Sequence, residues 1–288
     1  MKRPPSRLRL VADAGEPLLG FVVRRGGISE QLAREAIERG GAFVGGRRVR
    51  EVERPLHPGE RVEVALPRQP APALQRSQLI HLDELLLAVD KPAGVAAQED
   101  LAGTESLPAL CTALLGALGE KQTQALLVHR LDRGTTGVTL LARTRRTQAF
   151  LLGEFRARRV KKEYRALVAG APLADEGAVE SAVESRPALT RWRVVARYQS
   201  AAEIAAWPET GRTHQIRIHL RELGCPLLGD KTYGGPVFFT RADGRRHDFT
   251  RPMLHAVSLE LRHPAGHDLR LRAASPVDYE EARAFLER

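Results

Sequence analysis

His129-Arg130-Leu131-Asp132-Arg133-Gly134-Thr135-Thr136-Gly137-Val138 is the segment from which the rest of the chain can be read. An apolar run, Ala125 to Val128, leads into its ionisable cluster, and a second, Val138 to Ala142, leaves it. That order predicts strand, tight polar turn, strand. A carboxylate in such a turn can face a cleft while the strands on both sides hold its backbone still, as a preorganised site requires. Alone, Asp132 also has an ordinary explanation, because aspartate readily bonds its own backbone in turns. Its neighbours along the chain must decide between a loop residue and a reactive one.

Composition bounds the alternatives. The chain has 288 residues, enough for one large domain or a large and a small one. It is 43% hydrophobic but only 5% aromatic, so Leu, Val and Ala must fill most of the core. A net charge of +10 favours a polyanionic partner, most simply nucleic acid. Residues 1–76 hold 15 Arg and Lys against 9 Asp and Glu, so a quarter of the chain carries more than half of the excess. Cys111 and Cys225 stand alone, without Cys-x-x-Cys or Cys/His spacing, which fits two buried thiols in a reducing cytosol. The basic N-terminus is followed by no apolar run, and no stretch approaches about 18 uninterrupted apolar residues. A cytoplasmic protein with no membrane partner is expected.

Met1 to Glu16 is polar and is expected to be loose. Leu18 to Val23 is apolar, but Leu18 to Arg25 is rich in β-branched residues and ends in glycines, which makes it a poor helix. Ser29 is a good N-cap for a helix from Glu30 to Arg39, with Leu32, Ala33, Ala36 and Ile37 on one face. Ala42 to Val44, Gly45-Gly46 and Arg47 to Val49 form a hairpin signal, and Pro58-Gly59 turns the chain into a strand from Arg61 to Leu66. This order resembles the S-four family of small RNA-binding domains. The resemblance implies that residues 1–66 bind RNA, with Arg34, Arg47 and Arg48 as contacts. Pro67 to Gln78 reads as a linker by its prolines and lack of periodicity, leaving residues 79–288 as the larger domain.

In that domain Leu85 to Val89 predicts a buried strand, followed by a turn from Asp90 to Gly94 that contains Lys91. Helices are expected from Ser106 to Leu118 and from Arg145 to Arg158, the second with Phe150, Leu151 and Phe155 inward. Alternation from Lys161 to Val168 predicts a strand with Tyr164, Ala166 and Val168 on one face. In Gly211-Arg212-Thr213-His214-Gln215-Ile216-Arg217-Ile218-His219-Leu220 the alternation of Ile216, Ile218 and Leu220 likewise predicts a half-buried strand, with Arg217 on its polar face.

The decisive segment is similar to the signature of the RluA-type pseudouridine synthases, which reads His-Arg-Leu-Asp, two variable residues, Thr-Ser-Gly. Thr136 stands where Ser is usual and keeps the hydroxyl. The strand carrying Tyr164, the Gly211–Leu220 block, Gly229-Asp230-Lys231-Thr232-Tyr233-Gly234 and Arg251-Pro252-Met253-Leu254-His255-Ala256 extend the likeness in the expected order. The resemblance implies an α+β fold with a mixed, largely antiparallel central sheet and flanking helices, beside the small α/β RNA-binding module. It implies isomerisation of uridine to pseudouridine in RNA by a monomer that needs no cofactor and no metal. It assigns Asp132 as the indispensable carboxylate, Arg217 as its partner, and Tyr164 as the residue that stacks on the base and has been taken as a proton acceptor. His129, Arg130, Arg133, Thr136, Arg212, Thr213, His214 and Gln215 become candidates for substrate binding, and Lys91 for a contact to the RNA backbone. Leu254, His255 and Ala256 are expected to pack beside the cleft. The expected substrate is large-subunit rRNA, the commonest target among members with an extra N-terminal module, with tRNA as the alternative.

Two other readings compete. A kinase-like enzyme is disfavoured because Leu131 interrupts His-Arg-Asp and no Gly-rich phosphate loop or Asp-Phe-Gly is present. A non-catalytic RNA-binding protein of the same fold would also explain the basic N-terminal module, but not the presence of Asp132, Tyr164 and Arg217 together.

Overall fold

The computed structural model describes residues 7–66, 73–97, 106–241 and 243–287. They fall into two units divided near residue 71. Of the expected linker, residues 67–72 lie outside the described residues. Arg76–Gln78 form a short 3-10 turn, and the Gln78 side chain donates to the Asp90 carbonyl at 3.3 Å, which ties this turn to the second unit.

The first unit runs β1 (Arg7–Val11), α1 (Leu18–Gly26), α2 (Glu30–Glu38), β2 (Ala42–Val44), β3 (Arg47–Val49) and β4 (Arg61–Ala65). Its sheet has the order β1-β4-β2-β3 and is antiparallel throughout. Ser29 caps α2 by accepting the Leu32 N–H. Two expectations fail here. The segment that should be loose contains β1, because pairing Leu8 with Val64 and Leu10 with Val62 supplies hydrogen bonds that no local pattern announces. The segment that reads as a poor helix is α1. Its Leu18, Leu19, Phe21 and Val22 are all buried, and burying four such side chains, at about 2 kcal/mol each, outweighs a few tenths of a kcal/mol of unfavourable propensity.

The second unit runs β5 (Leu79–Leu82), β6 (Leu86–Lys91), α3 (Leu107–Ala117), β7 (Leu126–Leu127), β8 (Thr136–Ala142), α4 (Arg145–Arg156), β9 (Lys161–Ala169), β10 (Glu176–Val183), β11 (Arg186–Arg197), β12 (Ala201–Pro208), α5 (Gln215–Glu222), β13 (Phe238–Thr240), β14 (Arg246–Asp248), β15 (Leu254–Arg262), β16 (Asp268–Arg272) and α6 (Val277–Glu287). Ten of these strands form one sheet in the order β10-β11-β12-β9-β15-β8-β6-β5, with β16 added to β15 and β7 to β8. The β15–β8 pairing is parallel and the others are antiparallel, so the sheet is mixed and largely antiparallel, as the resemblance implies. Every residue of β8 is buried, which explains why Val138 to Ala142 reads as an apolar run.

Helix α4 lays Leu151 into the core with Val138, Leu140 and Val160. Phe150, expected inward, is instead 39% exposed. The larger correction concerns α5: Gln215–Glu222 is a helix, not a strand. Ile216 and Leu220 are four positions apart, so this pair fits a period of 3.6 as well as one of 2, while Ile218 between them falls on the other helix face and is less buried. His214 enters the helix with a left-handed φ of 57°, and Ile218 N–H closes onto the His214 carbonyl at 3.0 Å. Among the described residues, no helix is long and apolar enough to cross a membrane.

Candidate active site

Asp132 lies in the turn between β7 and β8, and that turn is held by its backbone. Thr135 N–H donates to the Asp132 carbonyl at 3.0 Å. The Arg133 carbonyl accepts from Gly94 N–H at 2.8 Å and from the Lys91 ammonium at 3.4 Å. The Gly134 carbonyl accepts from Arg251 Nη1 at 3.2 Å. Just beyond, Gly137 has a φ of 113°, and a Cβ there would lie 2.2 Å from the Ala256 carbonyl oxygen. Only glycine permits that approach, and it brings β8 into its parallel pairing with β15.

The turn presents its carboxylate to a cavity of about 490 Å³. Tyr164 from β9, buried to 8% exposure, forms part of the wall, with Leu131, Ile216 and Leu254. Arg217 reaches Asp132 from the first turns of α5: Nη1 donates to Asp132 Oδ2 at 3.3 Å. Two groups 85 residues apart in sequence thus meet in one cavity. His214 Nε2 lies 3.8 Å from the same carboxylate oxygen.

Most of the Arg217 guanidinium is engaged elsewhere. Nε and Nη2 donate to the two oxygens of Asp230 at 2.7 Å each, a bidentate pair with Asp230 1% exposed. The Tyr233 ring lies under the guanidinium, 4.9 Å from its carbon, and the Tyr233 hydroxyl is hydrogen-bonded to His214 Nδ1 at 2.9 Å. Burial alone would pull the Arg217 pKa down, but the bonds and charge of Asp230, with Asp132, hold it above its ordinary value. Asp230 and Tyr233 are therefore the supports that the sequence reading quoted as a motif but did not count among the site residues. Their signal was the Gly229–Gly234 block itself. Gly229 has a φ of 79°, and a Cβ there would sit 1.9 Å from the Arg251 carbonyl oxygen, so this loop too is packed against the chain just before β15.

Arg130, Arg212, Thr213 and His214 line the cavity with Asp132. Four other candidates have structural roles. Lys91 is fully buried and donates to the carbonyls of Pro92, Val95 and Arg133, so it braces the Asp132 turn from behind and cannot meet an RNA backbone. Burial lowers its pKa to about 7. Thr136 is buried, and its hydroxyl is bonded to His255 Nδ1 at 2.9 Å. Gln215 is buried and bonds the Thr210 hydroxyl, the Arg212 N–H, the Leu189 carbonyl and the Thr190 hydroxyl, which fixes the loop entering α5. His129 borders the cavity, but its Nε2 accepts the Leu140 N–H at 2.9 Å and its ring stacks on Phe155. Burial, with the nearby Lys162 charge, lowers its pKa to about 3, so it stays neutral. Arg133 turns its Nε to the Gly94 carbonyl at 2.9 Å. Leu254, His255 and Ala256 are buried, as expected of packing residues.

Burial and the charge of Asp132 push the Tyr164 phenol well above its ordinary pKa. A phenol so placed keeps its proton at neutral pH, which favours a wall and stacking surface over a base. In the first unit, Arg47 and Arg48 are exposed on β3, and Arg34 is paired with Glu30 at 3.1 Å.

Among the described residues, one group outside the cavity lining has the chemistry of metal ligands: His81, Asp83 and His263. His263 Nδ1 accepts the Ala265 N–H at 3.0 Å, so the neutral ring carries its proton on Nε2 and donates it to Asp83 Oδ2 at 3.0 Å. A metal on Nε2 would need the opposite tautomer, facing the Ala265 N–H, so this group is a hydrogen-bonded clamp.

With the fold and cavity in place, comparison with known proteins is specific. The RNA pseudouridylate synthase family matches residues 85–222, a stretch that contains Asp132, Tyr164 and Arg217. A ribosomal large subunit pseudouridine synthase D of Pseudomonas aeruginosa is 33% identical over 220 residues, covering 69% of this chain and 68% of that one. The synthase of the same name from Xanthomonas campestris is 32% identical over 278 residues, covering 88% of this chain and 83% of its own. Among solved structures, the human RNA pseudouridylate synthase domain containing 4 superposes with a TM-score of 0.61 at 25% identity, covering 73% of this chain and 93% of that one. The cavity that joins Asp132 to Arg217 thus stands in a chain that belongs to the RNA pseudouridylate synthases, and it is a pseudouridine synthase of the RluA type.

Proposed function

We propose that this enzyme isomerises uridines of large-subunit ribosomal RNA, with Asp132 as the reacting carboxylate. The observation that carries this reading is the meeting of Asp132 and Arg217 in a cavity of nucleoside size. The names of the relatives, which act on the large ribosomal subunit, support the substrate.

The reaction breaks the bond from uracil N1 to ribose C1′ and forms one from C5 to C1′. N1 gains a proton and C5 gives one up, so no redox partner or group donor enters the balance. The target nucleotide must leave its stack, at a cost of a few kcal/mol. Asp132 then attacks the sugar or base, or removes a ribose proton to give a glycal. Both routes need one carboxylate oxygen held beside the ribose, and Arg217 supplies that orientation. Detached uracil has to turn without escaping, and Tyr164 with the packing of Ile216 and Leu254 forms the walls that retain it. Arg130, Arg212, Thr213 and His214 border the same space and are assigned to substrate contact. The basic first unit, through Arg34, Arg47 and Arg48, adds sequence-independent affinity for RNA.

The test is incubation of the full chain with transcribed large-subunit rRNA and, separately, tRNA, followed by mapping of pseudouridine. Conversion confined to the rRNA is expected, and Asp132→Asn should lower it by at least about 10³-fold while leaving the melting temperature within about 2 °C. Full turnover by Asp132→Asn would refute the assignment, and conversion of tRNA alone would refute the substrate.

A further inference from the structure

After helix α4 the chain turns through Arg158, whose φ of 59° is left-handed. The turn is closed by the Arg158 N–H to the Phe155 carbonyl at 3.1 Å and the Arg159 N–H to the Glu154 carbonyl at 3.0 Å. Helices that end this way usually place glycine at the left-handed position, because a Cβ there is costly. Packing does not explain an arginine at this point. Arg158 is exposed, and among the described residues no carboxylate is paired with it, whereas Arg159 beside it is held by Glu154 at 3.0 Å. Arg158 instead lines the cavity that holds Asp132.

Lys162 lines the same cavity. Its ammonium donates to the Thr210 carbonyl at 3.0 Å and, among the described residues, is paired with no carboxylate. Burial, and then the like charge of Arg158, lower its pKa to about 8. Glu209, the one acidic residue besides Asp132 among the described residues of the lining, is taken up by Arg191 at 2.7 Å. Among the described residues, this part of the cavity wall therefore carries Arg158 and Lys162, with Arg156 also in the lining, and no free anion. Such crowding is unfavourable until a ligand brings negative charge.

We propose that Arg158 and Lys162 form a phosphate subsite in the wall of the Asp132 cavity, which takes the backbone phosphate next to the everted uridine, and that the left-handed backbone at Arg158 is what directs its guanidinium there. This rests on RNA being the substrate, and it deepens that reading by assigning a backbone contact to two residues outside the chemistry. Arg158 and Lys162 act here on binding and register, not on the reacting atoms.

The test is fluorescence anisotropy of a labelled large-subunit rRNA transcript with the full chain at several salt concentrations, beside thermal melts, for Arg158→Gly, Arg158→Lys and Lys162→Gln. Arg158→Gly relieves the left-handed strain, so its melting temperature should rise by about 2–4 °C. It should nevertheless bind about 3- to 10-fold more weakly, and the slope of log K against log salt should become shallower by about 0.7–0.9, the signature of one lost phosphate contact. Lys162→Gln should show the same change of slope, and Arg158→Lys should keep the slope of the unaltered chain. Unchanged affinity and slope in both Arg158→Gly and Lys162→Gln would overturn the subsite. Failure of the unaltered chain to bind RNA would instead overturn the substrate reading beneath it.

Discussion

The loops that carry Asp132 and Asp230 both offer a carboxylate to Arg217, on different terms. Asp230 takes two bonds of 2.7 Å and has a side chain only 1% exposed, while Asp132 takes a single bond of 3.3 Å and keeps 20% of its side chain open. A planar fork with several donors can serve both, where a lysine would have to choose. The difference separates a buried support from an open carboxylate. Asp230 fixes the arginine, and the arginine then fixes a carboxylate that still faces the cavity.

That contrast can be broken most directly at Asp230. Asp230→Ala leaves a buried guanidinium without its main partner and should cost about 3–5 kcal/mol of stability, together with most activity. Asp132→Ala removes a partly open pair and should cost no more than about 1 kcal/mol. Denaturant melts giving the same loss for both variants would end the distinction. Arg217→Lys sharpens it: charge is kept but the fork is lost, so kcat should fall by about 10²-fold through misplacement of Asp132, while stability falls by about 1–3 kcal/mol. An unchanged kcat would show that Asp132 needs charge nearby but no orientation.

A third measurement concerns the packing under the strand that follows Asp132. His255 is fully buried against Thr136, and burial lowers its pKa to about 4. Its folded-state pKa lies below the unfolded one, so between about pH 6.5 and 4 the unfolded chain binds a proton that the folded chain refuses. Stability should therefore fall as pH falls through that window, by up to about 1.4 kcal/mol per unit from this residue. In His255→Asn the loss per pH unit should be smaller by that amount, and an identical pH profile would remove the histidine from the account. The smallest effect belongs to the first unit. Arg47→Ala with Arg48→Ala should change stability by less than about 0.5 kcal/mol but flatten the salt slope of RNA binding by about 1.5–2.

What the chain disclosed in advance divides along physical lines. The turn that carries Asp132, the strand that carries Tyr164 and the buried run of β8 were legible because local pattern and motif agreed. Helix α5 reads as a strand because Ile216 and Leu220 fit both periods over so short a stretch, and Ile218 between them tips the pattern to alternation. Gly224, with a φ of 76° just past the helix, was the stop signal that could have decided it. Lys91, Thr136 and Gln215 look like substrate ligands in sequence because polar residues beside a reactive turn always do. Their real partners are the carbonyls of Arg133 and Leu189 and the ring of His255, set by strands that approach from far along the chain. Strand β1 and helix α1 were missed for the same reason, since a distant partner supplies what local propensity lacks.

The segment from Arg251 to Ala256 touches both loops: Arg251 bonds the Gly134 carbonyl, and its own carbonyl backs Gly229. It is synthesised 117 residues after Gly134, which at about 5–20 residues per second is a delay on the order of ten seconds. Until β15 slots between β8 and β9, a growing polypeptide already has its aspartate but not the backing that holds the Asp132 and Asp230 loops. The two loops thus gain their common support together, in one late step.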